Sequence, residues 1–239
     1  MTIQQYSLTI KNLSGADQDV ALFQVDDPGS GYPLVWLSQK ILSGNNYTFT
    51  WCTKWYLGFG STSEPLKPGV AYVSQNQIEV KPNDANGSNE IQIQYDDRSF
   101  KFSSSSPYNN DKIDNGVMQI ITDTSFTVEQ SSLMSVALYM NDKPILASQG
   151  KPGTQYQFYT NTIYYLTVTD IPEGSVLPSF TPKGSVLPSF TPSNSSIMME
   201  CAKPTTIAIS QPTQVNFPAG QTALTYNLTN VLMFELVQD

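Results

Sequence analysis

Histidine is absent from the 239-residue chain. Its absence removes Ser-His-Asp and Cys-His nucleophile activation, imidazole acid–base chemistry and histidine-based zinc or iron sites. Arginine occurs once, as Arg98. Lysine and arginine together number 12 against 20 carboxylates, for a net charge of −8. Nucleic acids and anionic membranes are held by clustered Lys and Arg, so neither is an expected partner. Cysteine occurs twice, at Cys52 and Cys201. Two thiols build neither a disulfide scaffold nor a Cys-only zinc site. In a reducing compartment both are expected as buried thiols, with a Cys52–Cys201 bridge as the alternative.

Long apolar runs are missing too. No stretch of about 18 apolar residues exists, which leaves no transmembrane helix. Met1-Thr-Ile-Gln-Gln5 has neither the basic nor the apolar part of a signal peptide. The expected compartment is the cytoplasm, with any release by a non-classical route. Asn-x-Ser/Thr sequons at Asn12, Asn46, Asn86, Asn194 and Asn227 would then never meet the glycosylation machinery. No Gly-rich loop leads into a helix, so no dinucleotide or phosphate-bearing cofactor is expected.

Charged residues make up only 13% of the chain, about half of the usual ~25%. Ser, Thr, Asn and Gln take their place, with 13 Tyr and 11 Phe. That is the composition of pleated, half-buried surfaces rather than of disorder. Period-two alternation in short runs, broken by turn residues every eight to twelve positions, predicts an all-β fold. Tyr6, Leu8 and Ile10 alternate with Ser7, Thr9 and Lys11. Further strands are expected at residues 20–25, 34–37, 47–51, 70–80, 91–95 and 100–102. Others follow at 117–122, 125–129, 134–140, 145–148, 155–159 and 163–169, then 197–201, 205–210, 223–227 and 231–237. No helical stripe is present. The expected architecture is an antiparallel β-sandwich or jelly-roll-like domain spanning 1–239, or two stacked β-subdomains divided near 103–115.

A Pro-rich segment at 171–195 interrupts the pattern. Glu173-Gly-Ser-Val-Leu-Pro-Ser-Phe-Thr-Pro182 is followed at once by Lys183-Gly-Ser-Val-Leu-Pro-Ser-Phe-Thr-Pro192. The prolines exclude a helix and a central strand and favour an extended chain. One reading is a duplication tolerated in a surface loop. The other is an arm whose Val176, Leu177, Phe180, Val186, Leu187 and Phe190 dock on a neighbouring subunit.

Paired carboxylates at Asp26-Asp27 and Asp96-Asp97 sit in turns, where Asp caps backbone groups; no catalytic pair is assigned. Asn109-Asn-Asp-Lys-Ile-Asp-Asn-Gly116 is oxygen-rich, but Lys112 falls where a calcium loop needs a ligand, so no metal is expected. All three tryptophans, Trp36, Trp51 and Trp55, lie within twenty residues, beside Tyr47, Phe49, Tyr56 and Phe59. They are expected to form core. The competing reading is an aromatic platform of Trp36, Trp51, Trp55 and Tyr56 on which sugar rings stack.

Leu34-Val-Trp-Leu37, Tyr47-Thr-Phe-Thr-Trp51 and Leu66-Lys-Pro-Gly-Val70 resemble a group of small uncharacterised microbial proteins over about residues 20–75. That resemblance implies no activity and no site residues. From the residues themselves, the leading expectation is a non-enzymatic structural or self-assembling protein. It would form a filament, layer or inclusion with itself as partner. A carbohydrate- or ligand-binding module with glycan partners is the alternative.

Overall fold

A computed structural model describes residues 4–26, 31–82, 84, 87–178 and 209–237. Among these the chain is all strand and turn, without helix, in a β-sandwich-like arrangement of four sheets. The strands are β1 (Gln5–Asn12), β2 (Gln18–Val25), β3 (Tyr32–Pro33), β4 (Leu37–Ile41), β5 (Asn46–Cys52) and β6 (Trp55–Thr62). Next come β7 (Tyr72–Val80), β8 (Glu90–Asp96), β9 (Ser99–Phe102), β10 (Val117–Thr122), β11 (Met134–Met140) and β12 (Lys143–Gln149). The last are β13 (Gln155–Tyr159), β14 (Ile163–Val168), β15 (Thr213–Val215), β16 (Ala223–Leu228) and β17 (Phe234–Leu236).

The sheet orders are β17-β16-β1-β5, β15-β14-β2-β4, β13-β10-β8-β9 and β3-β12-β11-β6-β7. The first two face each other, with Trp51 of β5 against Tyr164 of β14 at 5.4 Å between ring centroids. The last two do the same, with Phe59 of β6 against Phe102 of β9 at 5.2 Å. One buried apolar cluster draws on all four sheets, from Leu8 and Leu22 to Leu57, Ile93 and Ile120. It takes residues from both sides of 103–115.

The expected all-β, sandwich-like fold is present, with two of its four sheets mixed rather than purely antiparallel. β1 runs parallel to β16, and β8 parallel to β10. Strand order in space, which alternation along a sequence does not encode, decides that. Residues 125–129 are bend and turn, not strand. There Ser125 and Thr127 bond their neighbours: the Ser125 hydroxyl donates to Asp123 Oδ1 at 2.5 Å, and Gln130 Oε1 accepts from the Thr127 N–H at 2.8 Å. β6 is an addition. A Cβ at its Gly58 would run into the carbonyl oxygen of Asn76, and one at Gly60 into that of Val73. The strand needs glycine because β7 crosses it so closely. The strands expected at 197–201 and over most of 205–210 lie outside the described residues, as does Cys201.

Segments 34–35 and 175–177 cover the outward faces of two neighbouring sheets. Leu34 and Val176 pack with Ala137, Tyr139 and Tyr72. Val35 and Leu177 pack with Ala21, Phe23 and Tyr165. Each dipeptide thus places one residue on each sheet.

Candidate functional site

The three tryptophans are core. Trp36 is 0% exposed, Trp51 2% and Trp55 7%. Trp36 Nε1 donates to the Met140 carbonyl at 3.2 Å, and Trp51 Nε1 donates to the Tyr164 hydroxyl at 3.4 Å. Trp51 stacks on Tyr6 at 5.8 Å and meets Trp36 edge-on at 5.5 Å. At these exposures no indole face is left open for a sugar ring. Tyr56 is half-buried, and its hydroxyl bonds Asp142. Burial first, then that bond, pushes the phenol up to about 12.

The apolar anchors of the duplicated segment part company. Val176 and Leu177 are 0% and 1% exposed, within this chain's own core. Leu177 N–H donates to the Pro33 carbonyl at 2.9 Å. These two are therefore unavailable to a neighbouring subunit. Phe180, Val186, Leu187 and Phe190 lie outside the described residues.

A polar constellation that alternation did not single out lies on the outer face of β8, β10 and β13. In β8, Ile91 and Ile93 point inward and are fully buried, which turns Glu90 outward. An outward carboxylate would ordinarily be solvated. Here it is 1% exposed, because the loop between β9 and β10 folds back across it. Tyr108 N–H donates to the Glu90 carbonyl at 3.0 Å. The Asn89 side chain clamps Asn110: its Oδ1 accepts from the Asn110 N–H at 2.8 Å, and its Nδ2 donates to the Asn110 carbonyl at 3.0 Å.

Two amides converge on the buried carboxylate. Asn110 Nδ2 and Gln119 Nε2 each donate to Glu90 Oε2 at 2.9 Å. The Tyr108 hydroxyl bonds the same carboxylate. Burial, then that bond and the adjacent negative charge, pushes the phenol up to about 12. A buried carboxylate needs such donors to persist. The result is a fixed orientation for every amide around it. Gln119 turns its Oε1 outward, where it accepts from Gln157 Nε2 at 3.3 Å. Asn110 and Gln119 line a surface pocket together with Lys112, Asp114, Gln157 and Tyr159 and the apolar Ile113 and Val117.

The pocket offers preset amide donors and acceptors, a phenol ring, and one charge of each sign. Among the described residues no group of three or more His, Cys, Asp or Glu lies close enough to hold a metal. No helix there is long and apolar enough to cross a membrane. One hint of this site was legible beforehand, the oxygen-rich run 109–116. Nothing in it pointed to Glu90, whose burial depends on a loop that returns from beyond β9.

A family model described as RhiA matches residues 3–212. That is most of the chain, and it includes the 20–75 stretch whose residues resemble a group of uncharacterised microbial proteins. The chain belongs to the RhiA family. No curated protein and no solved structure matches it.

Proposed function

We propose that this RhiA-family chain is a non-enzymatic binding module that takes a neutral, hydroxyl-rich ligand, a carbohydrate, on the outer face of β8, β10 and β13. The observation that carries the reading is Glu90, buried and bonded by Asn110 and Gln119. Sugar hydroxyls both donate and accept, and are best met by side chains that do the same at fixed angles. Gln119 and Gln157 supply that, and Tyr159 supplies a ring beside them. Lys112 and Asp114 balance each other's charge, which favours an uncharged ligand. Glu90 serves as an organiser. Its carboxylate is engaged by protein donors and shielded from the pocket, a poor arrangement for acid–base transfer to a substrate.

A glycan array followed by calorimetry on the hits tests this. Gln157→Ala and Tyr159→Ala are expected to lose binding with an unchanged melting temperature, since both side chains lie at the rim. A protein that binds no glycan, or a Gln157→Ala variant that binds as well as the parent, overturns the reading.

Self-assembly is the second reading, and β7 favours it. It is an edge strand nine residues long whose only charged side chain is Glu79. A long edge with so little charge invites pairing with another chain. Placing lysine at Gln75 and Gln77 is expected to reduce any particle size seen by light scattering; unchanged particles would argue against this edge.

A further inference from the structure

The first nine strands and the last eight trace one path twice. β1, β2, β4 and β5 correspond in order to β10, β11, β12 and β13, and β6 to β9 correspond to β14 to β17. The sheet β5-β1-β16-β17 then matches β13-β10-β8-β9, and β4-β2-β14-β15 matches β12-β11-β6-β7. In each outer sheet only the central pair is parallel, β1 with β16 and β10 with β8.

The match extends to register. Ala21, Leu22 and Phe23 face Thr167, Leu166 and Tyr165, while Ala137, Leu138 and Tyr139 face Gly58, Leu57 and Tyr56. It extends to individual hydrogen bonds. Asn12 N–H to Asn45 O (2.9 Å) and Leu13 N–H to Leu228 O (2.9 Å) are echoed by Thr122 N–H to Thr154 O (2.9 Å) and Asp123 N–H to Ile93 O (3.1 Å). A faint echo survives in the sequence. Val20-Ala-Leu-Phe23 answers Val136-Ala-Leu-Tyr139, and Tyr56-Leu57 answers Tyr165-Leu166. Gly44-x-x-Tyr47-x-Phe49 answers Gly153-x-x-Tyr156-x-Phe158, with both glycines at positive φ, 77° and 62°.

Each sandwich is nevertheless built from halves of different repeats. One takes β1, β2, β4 and β5 with β14 to β17. The other takes β6 to β9 with β10 to β13. The crossings lie at Thr53-Lys54, between β5 and β6, and at Thr160-Asn-Thr162, between β13 and β14. Two facing sheets stand about 10 Å apart, and a two-residue link reaches barely that far even fully extended. A link so short favours running on into a neighbouring sandwich over turning back within its own.

We infer that the chain is a tandem duplication of one unit whose two copies exchange halves, and that the same exchange joins a second copy of the chain. Sandwich β6–β13 is one continuous stretch of chain but for its edge strand β3, whereas the other joins 5–52 to β14 and 209–237. Nothing in the pairing of β1 with β16 requires that both come from one chain. When copies fold at high concentration, the 5–52 segment of one completes the β14–β17 half of the next and carries β3 and Trp36 to that chain's β12 and Met140. At low concentration the tethered half wins, because its effective concentration is in the millimolar range. This holds whatever the pocket binds.

The test uses full-length chains with Cys52→Ser and Cys201→Ser. One carries Ser7→Cys and the other Ala223→Cys, register partners across β1 and β16. The two are unfolded together, refolded over a range of concentrations and treated with a short bismaleimide. The expected result is a cross-link between chains and a doubled mass by light scattering, both growing with refolding concentration. Neither should appear when separately folded chains are mixed. The pair Ile121→Cys and Gln155→Cys, across β10 and β13, should stay uncross-linked between chains. A single chain carrying both Ser7→Cys and Ala223→Cys shows that the variants fold, since it should cross-link within itself and, once closed, no longer exchange. Monomer at every concentration, or equal cross-linking of the β10–β13 pair, overturns the inference.

Discussion

Leu34 pairs with Val176 in an isolated antiparallel bridge, 142 positions apart in the chain, and both side chains are fully buried. The bridge brings Val176 and Leu177 of the first decapeptide into the protein's own core. Gly174 N–H donates to the Val35 carbonyl at 2.8 Å, and Val176 N–H to the Val70 carbonyl at 2.9 Å. The docked copy begins with Glu173, whose carboxylate pairs with Lys143 at 2.5 Å. The second copy begins with Lys183, which would set like charges together there. For so exposed a pair that difference is worth about 1 kcal/mol at most.

Leu177→Ala is therefore expected to lower stability by about 2–5 kcal/mol, the usual cost of emptying a leucine site. Urea denaturation followed by tryptophan emission would measure it. A loss below about 0.5 kcal/mol, the range of surface changes, would mean that the segment merely lies on the surface.

Glu90→Gln should destabilise the fold more than its small change in shape suggests. An amide nitrogen in place of Oε2 would face the amide donors of Asn110 and Gln119. Such a mismatch leaves buried donors unsatisfied at about 1–3 kcal/mol. Differential scanning calorimetry at pH 7 should show a lowered melting temperature. An unchanged one would mean that the loop over Glu90 opens freely.

Alkaline pH should unfold the protein through its phenols. Tyr56, Tyr108 and Tyr164 are each raised from 10.0 to about 12, burial being the largest cause in all three. The folded state thus favours the neutral phenol. Its contribution is fully present below pH 10, the unfolded value, and is lost as pH rises through about 12. Stability from these groups should be flat from pH 7 to 9 and fall between 10 and 12. Tyrosinate absorbance, recorded with circular dichroism, should show a late-titrating fraction that ionises together with unfolding. If all thirteen tyrosines titrate near 10 with the fold intact, the burial is wrong.

Gly58→Ala should prevent normal pairing of β6 with β7, since the added methyl meets the Asn76 carbonyl and the Gln77 Cα rather than a movable side chain. Overpacking costs about 1–3 kcal/mol, and a clash with backbone lies at the upper end. Gly44→Ala meets nothing within 4 Å but sits at φ 77°, so only a smaller conformational cost is expected. Melting temperatures of the two variants should rank accordingly; the reverse order would contradict the close approach of β7.

Most strands were legible because one buried face imposes alternation on its own residues. Leu8 and Ile10 against Ser7 and Thr9, or Ile91 and Ile93 against Gln92 and Gln94, need no partner to be read. The burial of the tryptophans followed from their size and clustering. β6 was illegible because its glycines answer to β7, which comes later in the chain. The site was illegible for a similar reason. Glu90 and Gln157 are 67 positions apart and look like ordinary outward residues until β8 and β13 flank β10.

What the sequence determined by itself was local: an all-β chain, its alternating faces, its turns, and a surface poor in charge. Those follow from dihedral preferences and from side chains that must leave water on one face of a strand. The tertiary structure alone decided which strands are neighbours, that two pairs run parallel, that halves of two repeats exchange, and that an outward glutamate is covered. Such choices depend on contacts between segments far apart in the chain. Alternation of period two is satisfied equally well by many partners, so only the packing of all four sheets selects among them.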